Sequence, residues 1–160
     1  CMGSNSESNL EHEKYMKIAL EEAKKAFAKG EVPVGAVIVK EGVILAKAHN
    51  QVEEKGSTLF HAEIIAIEEA CREVNNKYLD DCVLYVTLEP CTMCSGAIMN
   101  SRISRVVYGA DEEKTGTAGT VLNLLQFPGF PGFVHIVPNI LKEESAKLLK
   151  KFFNNMRNNY

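Results

Sequence analysis

The sequence has 160 residues, of which 46% are hydrophobic and 24% are charged, and its formal net charge is −3. These values are typical of one soluble globular domain over residues 1–160, whose core is large enough to need no disulfide staples. No apolar run approaches the roughly 20 residues that cross a bilayer, so we expect no membrane span. The basic residues are scattered, and the charge of the whole chain therefore gives no indication of nucleic-acid binding.

The N-terminal residues 1–11 are polar and contain no secretory signal, and Met2-Gly3-Ser4 resembles an expression-vector remnant. We therefore expect residues 1–6 to be such a remnant or a disordered tail. The chain has five cysteines. An odd number of cysteines without a signal peptide indicates a reducing, cytoplasmic location.

The first half of the chain begins with apolar residues at helical spacing, which predict an amphipathic helix over residues 12–29. Two apolar runs, Val34–Val39 and Val43–Ala46, flank a turn at residues 40–42 and predict a β-hairpin. Residues 50–58 are polar and predict a loop. A wide apolar stripe then predicts a helix from His61 to about Val74.

The second half alternates strands and helices. Val83–Thr87 is a continuous apolar run, typical of a strand buried on both faces. Pro90 is well placed to open a helix over Cys91–Asn100, because its missing N–H costs little there. The pattern then predicts a strand at Val106–Gly109 and a loop at 110–120. It also predicts a short helix at Val121–Leu125, a strand at Phe133–Val137 and a closing helix at Leu141–Met156. Such alternation after an opening hairpin indicates a layered α/β domain.

Two short motifs carry the chemistry, His61-Ala62-Glu63 and Pro90-Cys91-Thr92-Met93-Cys94. Cysteines three positions apart on a helix share one face, with Cβ atoms about 5–6 Å apart, so both can bind one ion. The predicted helix start at Pro90 places both sulfurs near the positive end of the helix dipole, which favours the thiolate. His61 opens another helix and can meet them at the same sheet edge.

One histidine and two cysteines supply three of the four ligands of a tetrahedral zinc, and a catalytic zinc keeps water in the fourth position. Glu63 is suited to move protons between that water, the ring nitrogen and the leaving amine. His-x-Glu followed by Pro-Cys-x-x-Cys is the signature of the zinc-dependent base deaminases.

The motifs allow two other interpretations. A fourth cysteine or His49 could close the site into a structural zinc knot. Alternatively, Cys91 and Cys94 could form a redox pair, but that interpretation leaves His61 and Glu63 without a role.

Longer segments resemble the bacterial tRNA-specific adenosine deaminases, within the cytidine and deoxycytidylate deaminase superfamily. They cover most of residues 12–157 and include the stretches at 31–37, 84–91, 101–103, 107–110, 114–116 and 152–153. The resemblance implies a cytidine-deaminase-like three-layer α/β/α fold with a five-stranded mixed sheet, and a homodimer. It also implies conversion of adenosine to inosine at the wobble position in the anticodon stem-loop of a tRNA.

The resemblance also implies roles for individual residues. It makes Glu63 the proton shuttle and gives the zinc three ligands, His61, Cys91 and Cys94. It assigns Asn50 to the flipped nucleotide and Val34, Ala62 and Phe153 to the pocket around it.

The chain departs from the family pattern at three places. They are Ser57-Thr58-Leu59-Phe60 before the histidine, Asp111-Glu112-Glu113 in the loop that faces RNA, and Pro131-Gly132 before the last strand. A deaminase of a free base or nucleoside, of the guanine or cytosine type, is therefore an alternative function. A zinc-stabilised binding module without turnover is another.

Overall fold

The computed structural model describes residues 2–158, with side chains described from residue 9 onward. Its core is a five-stranded mixed sheet in the order β2-β1-β3-β4-β5. The strands are Gly35–Lys40 (β1), Val43–His49 (β2), Cys82–Leu88 (β3), Arg105–Ala110 (β4) and His135–Val137 (β5). β1 pairs antiparallel with β2 and β3, whereas β3, β4 and β5 are parallel. The predicted five-stranded mixed sheet is confirmed.

Helices cover both faces of the sheet. They are Met2–Ala28 (α1), Val52–Lys55 (α2), Ala62–Val74 (α3), Thr92–Asn100 (α4) and Lys142–Asn158 (α5). Alternate residues of β1 separate the two cores, because successive side chains of a strand point to opposite faces. Ala36 and Ile38 pack in the core beneath α3 and α4, and Val37 and Val39 pack against α1. The domain therefore has three layers, as predicted. No helix within residues 2–158 is long and apolar enough to cross a membrane.

One edge of the sheet collects the chain segments that carry the two motifs. β1 begins at this edge, where Gly35 pairs with His49 at the end of β2. Ala36 pairs with Val86 close to the end of β3. Because β2 and β3 both end here, on either side of the start of β1, the segments that lead to α3 and α4 leave the sheet at the same edge.

The helix predicted over Val121–Leu125 is wrong. The amides of Val121 and Leu122 both bond to the carbonyl of Gly116, and Ala118 forms an isolated β-bridge with Asn123. These contacts run back to residues 116–118, so the segment folds as a compact loop although its apolar residues suit a helix.

Two helix boundaries also differ from the predictions. α1 begins at Met2 and not near residue 12. Residues 2–11 lack an apolar stripe, so periodicity could not detect this part of the helix. α2 lies inside the predicted loop at 50–58, and its first amides bond to the carboxylate of Glu31, a partner distant in sequence. The vector remnant or disordered tail is predicted at residues 1–6. Of these, Cys1 lies outside the described residues, and the side chains of residues 2–6 are not described.

Candidate metal centre and substrate cavity

His61 and Cys91 occupy equivalent positions in two helices. His61 is the N-cap of α3 and Cys91 is the N-cap of α4, and both have extended backbone angles. Cys94 lies within the first turn of α4 and is fully buried. The free N–H groups at a helix start favour negative charge nearby. Two helix N-termini therefore face the same point with the ligand side chains between them.

The distances among the three side chains match those of a tetrahedral zinc site. His61 Nδ1 lies 3.6 Å from Cys91 Sγ and 3.5 Å from Cys94 Sγ. Zinc–sulfur bonds of about 2.3 Å and zinc–nitrogen bonds of about 2.0–2.1 Å at a tetrahedral angle give an N···S separation of about 3.6 Å. Among the described residues, the side chains of His61, Cys91 and Cys94 are close enough together to hold a metal ion.

The two thiols form a coupled pair. A hydrogen bond from Cys94 is the main cause that lowers the pKa of Cys91 to about 4, and His61 adds to the effect. The same hydrogen bond and burial raise the pKa of Cys94, since a second thiolate here would also face Glu63. Without a cation the pair therefore holds one negative charge, and a divalent cation at this point would favour the thiolate form of both cysteines.

Glu63 lies in the first turn of α3 and is only 4% exposed. Burial is the main cause that raises its pKa, and the nearby His61 partly offsets this effect. The proximity of its carboxyl group contributes to the raised pKa of the Cys94 thiol. Glu63 therefore lies beside the ligand group without belonging to it.

A cavity of about 650 Å³ opens onto the ligand group. Each residue that the sequence pointed to as a pocket residue lines it, namely Val34, Asn50, Ala62 and Phe153, together with His61, Glu63 and Cys91. Asn50 is buried, and its Oδ1 has no hydrogen-bond partner in the described chain. Buried polar atoms are normally paired, so an unpaired one in a cavity wall is suited to accept a hydrogen bond from a ligand.

The candidate fourth ligands lie elsewhere. His49 contacts Glu22 and Lys29, at 3.4 Å and 3.3 Å. The thiols of Cys71 and Cys82 bond to the carbonyls of Lys77 and Asp80. The remaining cysteine, Cys1, lies outside the described residues. The described residues thus offer three ligands, and the arrangement fits an open site better than a closed zinc knot.

The structure adds cavity residues to which the sequence analysis gave no role. Two of them, Glu31 and Glu89, are buried carboxylates, and others lie in a helix or loop that closes the cavity: Val52, Glu53, Glu112, Thr115 and Met156. The sequence did carry a signal for Glu31 and Glu89. Glu31 lies two positions before a proline and Glu89 directly before one, at the edge of the sheet where both motifs begin. No local pattern marked the rest.

The three departures from the family pattern have different surroundings. Phe60 is half-buried, and its backbone carbonyl accepts a hydrogen bond from Gln51. Asp111 pairs with Lys142 at 3.1 Å and accepts a hydrogen bond from Tyr108, so its charge is partly neutralised. Pro131 and Gly132 are both exposed.

The fold, a His–Cys–Cys group that could hold a metal ion and the adjacent buried glutamate together define the site of a deaminase. The family model described as MafB19-like deaminase matches residues 10–157, and the chain belongs to this family.

Similar proteins include the tRNA-specific adenosine deaminase of Aquifex aeolicus, which is 53% identical over 147 residues, covering 92% of this chain and 97% of the relative. The tRNA-specific adenosine deaminase of Bacillus subtilis is 48% identical over 145 residues, covering 91% and 90%.

Two solved structures are also similar. One, from studies of A-to-I editing by tRNA:A34 deaminases at the wobble position, is 37% identical with a TM-score of 0.81 and covers 84% of this chain and 98% of its own. A guanine deaminase from Bacillus subtilis is 40% identical with a TM-score of 0.61, covering 68% and 70%.

Proposed function

We propose that the protein hydrolyses adenosine to inosine at the wobble position of a tRNA, using one zinc ion held by His61, Cys91 and Cys94. The observation that carries the proposal is the spacing of the three ligand atoms at tetrahedral zinc distances beside a buried glutamate. Identities of 53% and 48% to two tRNA-specific adenosine deaminases support the substrate.

Zinc in such a site activates water as a nucleophile near neutral pH. Glu63 then does the proton transfer. Its carboxylate takes one proton from the attacking water as oxygen bonds to C6 of adenine and passes it to N1. It then takes the second proton from the new hydroxyl group and passes it to the leaving amino group. The bond from C6 to nitrogen breaks, and inosine and ammonia are released. Burial keeps Glu63 away from bulk water, and its position beside the ligand group sets the short path that proton transfer needs.

The cavity walls hold the base. The unpaired Oδ1 of Asn50 can accept a hydrogen bond from it, while Val34 and Ala62 supply apolar contact. Phe153 is 44% exposed at the cavity and can cover the nucleotide. A volume of about 650 Å³ is within the range of roughly 300–1,000 Å³ that holds a compact ligand. A base must leave its stack to enter, which favours unpaired nucleotides of an anticodon loop.

The RNA surface has to be local, because the net charge of the chain is −3. We propose a cytoplasmic single-domain protein that forms a homodimer, in which Lys150, Lys151 and Arg157 of α5 lie beside the partner's cavity. These three residues are exposed. Most of the affinity should then come from phosphate contacts and fall steeply with added salt.

The test is to incubate the zinc-loaded protein with a stem-loop RNA that carries adenosine at the wobble position. The same adenosine placed in a duplex is the matched substrate control, and Glu63→Gln is the matched protein control. We expect inosine and ammonia from the stem-loop with wild type only. Equal turnover of loop and duplex, or none with either, contradicts the proposal.

A second candidate is the deamination of free guanine, favoured by the 40% identity to the Bacillus subtilis guanine deaminase. A panel of free guanine, cytosine and nucleosides separates this candidate from the first, because deamination of any of them releases ammonia in the absence of RNA. A chain that binds zinc yet turns over neither RNA nor the panel would be the non-catalytic binding module.

A further inference from the structure

Two carboxylates lie buried in the wall of the cavity but have no part in the proposed chemistry. Glu31 is 1% exposed and Glu89 is 2% exposed. Among the described residues, neither has a lysine, arginine or histidine within salt-bridge distance. A buried charge without a cation needs strong hydrogen bonds to be tolerated, so their partners are informative.

Glu89 bonds to the loop that follows β4. Its carboxylate accepts hydrogen bonds from the amides of Glu112, Ala118 and Thr120 at 3.2, 2.9 and 3.1 Å, and also from the hydroxyl of Thr120. The next residue, Pro90, accepts a hydrogen bond from the amide of Thr117 at 2.9 Å. The loop is therefore tied to the turn that leads into Cys91.

Glu31 does the same for the opposite side. Its carboxylate accepts hydrogen bonds from the amides of Glu53 and Glu54, at 2.9 and 2.8 Å. These amides belong to the first turn of α2, and both Val52 and Glu53 line the cavity. Asn50, with its unpaired oxygen, lies at the start of the same segment.

We propose that Glu31 and Glu89 are positioning residues that set the two walls of the substrate cavity, Glu31 through α2 and Glu89 through residues 112–120. Each acts on the substrate through the backbone that it holds. Because the walls contact the nucleotide and not the reacting atoms, losing either carboxylate should weaken substrate binding more than it slows the chemical step. This inference uses the proposed function to choose the substrate.

Glutamine is the informative replacement. It has the same shape, but one carboxylate oxygen becomes an NH₂ group, which can only donate. That group would face a backbone N–H, so at least one amide on each wall loses its acceptor. Bonds to an ionised oxygen are also roughly twice as strong as neutral ones, so the remaining bonds weaken.

The experiment compares zinc-loaded wild type with Glu31→Gln and Glu89→Gln on the wobble-adenosine stem-loop. We expect KM to rise at least about tenfold in each variant, while kcat changes less than about threefold and zinc stays at one per chain. Amide hydrogen exchange should accelerate at residues 53–54 in the first variant and at 112–120 in the second. Glu68→Gln, an exposed glutamate on α3, removes the same charge and should match wild type.

The control also isolates the effect of charge. Removing a negative charge by itself favours RNA binding. An effect of charge alone would therefore lower KM in Glu31→Gln, Glu89→Gln and Glu68→Gln alike, whereas loss of positioning raises KM in the first two only. Thr120→Ala removes one donor to Glu89 from an exposed side chain, and it should raise KM by a smaller factor even if Glu89→Gln folds poorly.

Wild-type KM in Glu31→Gln, Glu89→Gln and Thr120→Ala overturns the inference while leaving the proposed function intact. A lower melting temperature with an unchanged KM also overturns it, because that result marks a purely structural role. If wild type fails to convert the stem-loop, the proposed function fails. The hydrogen-exchange pattern then tests the positioning role independently of substrate.

Discussion

The two sides of the cavity are held in different ways. On the ligand side, His61 and Cys91 cap the sheet-packed helices α3 and α4, and these regular elements hold them in place. On the other side, residues 111–134 form no helix or named strand and are held by side chains such as Glu89. The ligand side therefore suits a fixed geometry for chemistry. The loop side has no helix or strand of its own, and it meets the ligand side through the hydrogen bond from Thr117 to Pro90. We infer that the two sides separate reaction type from substrate choice.

Removing a metal ligand should give the largest effect. Cys94→Ala leaves two ligands, so we expect zinc to be lost and turnover to fall by more than about 10³-fold, since zinc contributes several kcal/mol and each 1.4 kcal/mol is tenfold. Elemental analysis and an inosine assay measure both quantities. Cys82→Ala is the control, because its buried thiol lies outside the group and zinc should be retained.

Glu63→Gln should have the next largest effect. The amide keeps the shape of the side chain but cannot cycle a proton, so turnover should fall at least about 10²-fold with zinc retained. Loss of zinc together with activity would instead make Glu63 a ligand or a support of the ligands.

Asn50→Ala tests where the ligand side meets the substrate. Oδ1 is buried and unpaired, so its removal should leave the melting temperature unchanged or raised. Turnover should fall roughly tenfold, since a lost hydrogen bond of about 1.4 kcal/mol is tenfold in rate. Thermal denaturation and kinetics on the stem-loop test this together. A large loss of stability would mean that Asn50 is structural.

Gly116→Ala should have a smaller effect, confined to the loop side. A Cβ at Gly116 would lie 2.6 Å from Cδ of Glu89, so the loop must shift, at a cost of about 1–3 kcal/mol in unfolding free energy. Gly96→Ala, in α4 beside the ligands, meets nothing within 4 Å and should stabilise the chain by about 0.5–1 kcal/mol. Denaturant unfolding measures both changes. Equal changes in unfolding free energy for Gly116→Ala and Gly96→Ala would contradict the contrast between the loop side and the ligand side.

The ligand side could be predicted from sequence because its information is local. His61, Glu63, Cys91 and Cys94 lie in two short motifs. The apolar stripe after His61 and the proline before Cys91 showed where the two helices begin. Alternating strands and helices likewise predicted a layered α/β domain with five strands, and the family resemblance implied its three layers. The structure brings the predicted site residues to the wall of one cavity, except for the fully buried Cys94, which lies in the ligand group behind that wall.

The loop side could not be predicted because its contacts join residues far apart in sequence. The apolar residues at 121–125 suggested a helix, but hydrogen bonds to Gly116 hold them in a loop. The same holds for α2 on the opposite wall of the cavity, which was missed because Glu31, about twenty positions earlier, accepts the hydrogen bonds from its first amides. A periodicity argument sees only neighbouring residues and cannot detect either contact.

The most direct test of the central claim is a competition in one tube. Zinc-loaded wild type is mixed with equimolar wobble-adenosine stem-loop and free guanine, and the products are followed by mass spectrometry. We predict that inosine forms in the RNA while guanine persists, with a rate that falls steeply as salt is added. Rapid loss of guanine with an unaltered RNA would contradict the account and identify the protein as a deaminase of free bases.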